Sequence, residues 1–62
     1  MKILIAKQSE EVIKQILPKV KFVESTKNTT EFIVSEKTFH KLYREVKTLG
    51  YNPHAFMAWY LA

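Results

Sequence analysis

Cysteine is absent from this 62-residue chain, glycine occurs once, proline twice, and no apolar run approaches the ~20 residues of a membrane-spanning helix. Each absence excludes something. Without cysteine there are no disulfide staples, no Cys-based zinc sites and no thiol nucleophile, so stability has to come from packing or self-association. A reducing, cytoplasmic setting is the expectation that follows. The first apolar run, Ile3 to Ala6, is broken by Lys7, too early for a signal-peptide core. With so little Gly and Pro there is no linker and no low-complexity stretch. The 47% hydrophobic and 26% charged composition is that of a globular chain rather than a disordered one. At this length there is room for one domain, residues 1–62, with one modest core.

Charge is lopsided but mildly so. Ten Lys and Arg stand against six Glu, a net charge of +4, which favours acidic partners if it gathers on one face and only solubility if it is spread evenly.

Local signals divide the chain into short elements. Lys2 to Ala6, with Ile3, Leu4 and Ile5 in succession, reads as a strand. Ser9 is placed to cap a helix whose first turn carries Glu10 and Glu11, and Val12, Ile13, Ile16 and Leu17 follow at helical spacing until Pro18 stops it. Val20 to Ser25 and Glu31 to Ser35 read as strands, joined by the polar segment 26–30 with Asn28 suited to a left-handed turn. The triplet Asn28, Thr29, Thr30 matches the glycosylation acceptor pattern, but in a chain without a secretory signal it reads as a plain loop. Ser35 caps a longer helix, Glu36 to Leu49, ended by Gly50. Asn52 and Pro53 are a cap and a first helical residue, so the last segment reads as a third helix.

The expected fold is a single small α+β domain with element order β-α-β-β-α-α. Its three-stranded mixed sheet has strand order 1-3-2, and its helices lie mainly on one face. Strand three, uncharged through Phe32, Ile33 and Val34, is the better centre, since edge strands are where charge is tolerated. A right-handed crossover through the first helix makes strands one and two parallel, with strand three antiparallel between them. Phe32 and Val46 are expected to be core residues on facing elements.

Two surfaces are candidates for function. On the second helix, Phe39, Leu42, Val46 and Leu49 gather on one side, while Lys37, Lys41, Arg44 and Lys47 form a basic stripe on the other. Such a stripe is ordinarily the wet side of an amphipathic helix; as a functional feature it would meet phosphates or an acidic protein. Glu36 and Glu45 border it, and no helix-turn-helix or RNA-recognition pattern accompanies it. The second surface is the C-terminal segment, rich in aromatics and free of Lys, Arg and Glu. Read as a helix it is apolar all round, which means that it completes the core or presents Phe56, Trp59 and Tyr60 as anchors for a partner.

No constellation for catalysis emerges. His40 and His54 fall on different helices with no second ligand at metal spacing, Glu10 and Glu11 are adjacent and point apart, and no nucleophile is paired with a base. The expectation is therefore a non-enzyme without metal or cofactor: a small protein-binding module, a modulator or inhibitor of a larger macromolecular partner of the sort mobile genetic elements carry. Its contact surface would be the hairpin of the second and third helices, with a homodimer sealed by the terminal helix as a variant. The alternative is a nucleic-acid-binding domain using Lys37, Lys41, Arg44 and Lys47.

Overall fold

The computed structural model describes residues 1–61. Its elements run β1 (Lys2–Ala6), a 3-10 turn (Lys7–Ser9), α1 (Glu10–Ile16), β2 (Phe22–Ser25), β3 (Thr29–Ile33), α2 (Glu36–Thr48), α3 (Pro53–Phe56) and β4 (Met57–Tyr60). The four strands form one sheet in the order β2-β3-β1-β4, and every neighbouring pair is antiparallel. β1 and β2 point the same way with β3 between them, so α1 is the crossover of a split β-α-β unit, and β4 closes the β-α-β-β-α-β order of ferredoxin-like sheets. That arrangement hosts many functions and selects none.

The expected order 1-3-2 is present inside this sheet. The strand count is corrected, four rather than three, and so is the description of the sheet as mixed: β3 is antiparallel to both β1 and β2, as its expected place between them requires, and β4 is antiparallel to β1, so no neighbouring pair is parallel. The added strand makes β1 an interior strand alongside β3. An interior position explains why Ile3, Leu4 and Ile5 follow one another with no charge among them.

The third helix is also corrected. Asn52 does cap it, its side chain accepting from the His54 amide at 3.1 Å with Pro53 at the first helical position. It runs for one turn only, and at Met57 the backbone is extended, φ −147 and ψ 153. Trp and Tyr favour a pleated surface. The edge of β1 offers hydrogen bonds that a short isolated helix cannot match. Residues 57–60 then alternate: Met57 and Trp59 lie opposite Ile5 and Ile3, on the core side, while Ala58 and Tyr60 lie opposite Leu4 and Lys2.

Alternation also fixes the other strands. Ile3 and Ile5 from β1, Thr30 and Phe32 from β3 and Met57 from β4 are buried on the face covered by Ile13 of α1 and by Phe39, Leu42 and Val46 of α2. Phe32 and Val46 are both fully enclosed, as the sequence implies. Phe22 meets Phe32 edge-on, ring centroids 5.9 Å apart.

The caps are built from the residues the sequence nominates, with two exceptions. Ser35 Oγ accepts from the Thr38 amide at 3.1 Å at the start of α2. At its end Gly50 takes φ 96, while the Tyr51 amide donates to the Val46 carbonyl at 3.2 Å and the Gly50 amide to that of Lys47 at 3.1 Å, the paired bonds of a Schellman motif. Ser9, by contrast, makes no side-chain cap bond. Asn28 does not adopt a left-handed conformation either, since no non-glycine residue among those described has positive φ. Thr26 shapes that turn instead: its hydroxyl oxygen accepts from the Asn28 and Thr29 amides at 3.3 and 3.0 Å, and β3 can therefore begin at Thr29.

Among the described residues one polar side chain enters the core. Thr30, 1% exposed, donates its hydroxyl proton to Glu10 Oε2, and Ser25 Oγ reaches the same oxygen at 3.4 Å. The Thr30 hydrogen bond, followed by the positive charge of Lys7, holds the Glu10 carboxyl below its ordinary value against the opposing effect of burial. Glu10 is thus a tether between α1 and the sheet as well as a partner of the helix dipole.

Candidate interaction surfaces

Because α1 and α2 cover one face of the sheet, the residues that alternate away from the core form an open face. Across it run two rows set by the register: Ile33, Lys2 and Tyr60 side by side, then Glu31, Leu4 and Ala58. Ile33 and Tyr60 are each 53% exposed and Leu61, just beyond β4, is 85% exposed. Lys2 Nζ stands 3.9 Å from Glu31 Oε1, so the centre of this face is neutralised by its own ion pair. A shallow depression of about 380 Å³ opens between Lys2, Leu4, Tyr60 and Leu61. The sequence pointed to the C-terminal aromatics but not to this face, because a helical reading puts Trp59 and Tyr60 on one surface. The period-two pattern of Met57, Ala58, Trp59 and Tyr60 is the signal that finds it.

The three proposed anchors are consequently separated. Tyr60 is on the open face. Trp59 is half-buried on the helix side, its ring centroid 5.1 Å from Phe39, 5.9 Å from Tyr43 and 5.1 Å from His54. Phe56 sits at the end of α3 beside Tyr51, 5.0 Å between ring centroids. His54 Nε2 lies 3.4 Å from the Tyr43 hydroxyl, which ties α3 to α2. There is accordingly no hairpin of two long helices at the C-terminus; the short α3 turns the chain from α2 back into the sheet.

The basic residues of α2 fall where the helical spacing put them. Lys37, Lys41, Arg44 and Lys47 are exposed, and none takes part in the ion pairs found among the described residues. Glu36 Oε1 lies 4.0 Å from His40 Nε2, one turn along the helix, with both side chains exposed. Lys41 also borders a second, wider groove of about 520 Å³ between the α1–β2 turn and the start of α2, with Leu17, Val20, Ile33 and Val34 as its apolar lining and Lys19 and Lys21 at its rim. No group of three or more metal-ligating side chains occurs among the described residues, and no described helix is long and apolar enough to cross a membrane.

Compared with family models, curated proteins and solved structures, the chain matches none.

Proposed function

We propose that this protein is a non-catalytic protein-binding module that acts on a larger partner by occupying its surface, and that the open face of the sheet is the contact. One observation carries the reading: a sheet face with no element over it among the described residues presents Leu4, Ile33 and Tyr60 together, with Leu61 alongside. Apolar side chains gathered on one side of a small domain mark an interaction site, where scattered ones would need no explanation. Tyr60 is the natural anchor, a large ring with a polar tip that can lie against a partner at little entropic cost. Trp59, on the other side of the strand, and Phe56, packed against the core at the end of α3, support it rather than touching the partner directly. The partly exposed Lys2–Glu31 pair on this face supplies orientation rather than affinity.

A second reading rests on the exposed cations of α2, none of which is in an ion pair among the described residues. Lys37, Lys41, Arg44 and Lys47 on one helix face would bind nucleic acid through its phosphates, without base recognition.

Affinity capture from the native extract, with and without nuclease, separates the two when wild type is compared with two folded variants, Ile33→Ser/Tyr60→Ser and Lys41→Gln/Arg44→Gln. A protein retained after nuclease by wild type and lost by the first variant supports the open face. Material lost to nuclease, or lost by the second variant alone, transfers the assignment to the basic helix.

A further inference from the structure

The sheet ends on two edges of different kinds. β2 is short, carries Glu24, follows Lys19 and Lys21, and its pairing with β3 shifts register between Phe22 and Glu24. Charge and a bulge are the usual devices by which an edge is kept from pairing with another chain. β4 has neither. Its register with β1 is unbroken from Met57 to Tyr60, it holds no Pro, and no Lys, Arg or Glu occurs anywhere after Lys47. On its outer side no strand among the described residues stands beside it, so a row of backbone N–H and C=O groups is available along an uncharged strand.

We propose that β4 pairs antiparallel with β4 of a second copy about a two-fold axis, extending two four-stranded sheets into one of eight strands. A strand placed antiparallel to itself is self-complementary in backbone hydrogen bonding, the condition for a closed dimer. What ordinarily opposes the union of two cationic chains is like charge against like; here the cations lie on other elements, and the nearest, Lys2, is already paired with Glu31. The pleat restricts the register, because residues opposite one another must share a face. Pairing about Trp59 satisfies this while using only residues 57–61, and it sets Ala58 of one copy against Tyr60 of the other, small against large. The inference rests on the edge and holds whatever partner covers the open face.

Sedimentation of the full chain over about 10 µM to 1 mM tests it, alongside Ala58→Lys and Ile33→Lys. Both substitutions place a lysine on the open face, but only the first lies on β4. The expected result is a monomer–dimer equilibrium that Ala58→Lys weakens at least tenfold and Ile33→Lys leaves unchanged. Isotope-filtered NMR of mixed labelled and unlabelled wild type should also show contacts between Ala58 of one copy and Tyr60 of the other, so a failure of Ala58→Lys to fold does not remove the test. A chain that stays monomeric throughout overturns the proposal. So does a dimer that lacks those contacts or is broken by Ile33→Lys, which would mean packing through the open face.

Discussion

Trp59 stands directly across from Ile3 in the β1–β4 ladder, while Tyr60, one residue on, lies on the other side of the sheet. The pairing decides how the two rings divide their work: Trp59 belongs with the helices and Tyr60 with the outside. Trp59→Ala removes contacts to Phe39, Tyr43 and His54 and should destabilise by about 2 to 3 kcal/mol, near the lower end for a large core ring because Trp59 is only half-buried. Tyr60→Ala should cost less than about 1 kcal/mol, the scale of a cross-strand pair. Urea unfolding of the two variants checks the difference, and equal losses would contradict it.

Phe32→Ala should be the most damaging single substitution. Phe32 is fully enclosed, lies opposite Ile3 and meets Phe22 edge-on. A loss of about 3 to 5 kcal/mol is expected, against a total stability of about 5 kcal/mol for a domain so small. Circular dichroism should find much of the variant unfolded at room temperature.

The contact of Glu10 with Thr30 predicts a pH dependence. Because the carboxyl of Glu10 is held below its ordinary value of 4.5, the folded chain binds that proton less tightly than the unfolded chain does. Its stabilising contribution is complete above the ordinary value and is lost as pH falls through the lowered one. Urea midpoints measured from neutral pH into acid should fall more steeply for wild type than for Glu10→Gln. Thr30→Val, which removes the donor while keeping the shape, should flatten the acid limb in the same way.

Gly50 offers a test confined to the backbone. Its φ of 96 lies in the left-handed region, yet nothing lies within 4 Å of where a Cβ would stand. Gly50→Ala should therefore destabilise by about 1 kcal/mol through conformation alone, visible as a lowered thermal midpoint with an unchanged fold. No loss would mean that the Schellman end of α2 is not held as described.

How far the sequence could be read follows from where local and tertiary forces agree. Ser35, Gly50, Asn52 and Pro53 act through bonds to residues close by in the chain, and their positions were legible. The split β-α-β order was legible too, because Pro18 limits α1 and the charges of β2 mark it as an edge. At Met57 the forces part: Ala55 to Leu61 carries no helix breaker, and only the vacant edge of β1, some fifty residues away in sequence, draws it into a strand. The candidate site inherited that error. Tyr60 could be nominated from its place among the terminal aromatics, but its sheet neighbours Lys2, Leu4 and Ile33 could not, since they reach it only through the β1 and β3 ladders. Lys37, Lys41, Arg44 and Lys47 were placed correctly because one helix positions all four.

Whether Met57 to Tyr60 is a strand or a helix decides where Trp59 and Tyr60 face, and a nuclear Overhauser spectrum of the dilute chain distinguishes the two. A strand gives cross-strand contacts linking Ile3 with Trp59 and Ile5 with Met57, together with strong sequential amide-to-α contacts from Met57 to Tyr60. Contacts between residues three apart continuing from Pro53 through Leu61, with none reaching β1, would show a helix there and contradict it.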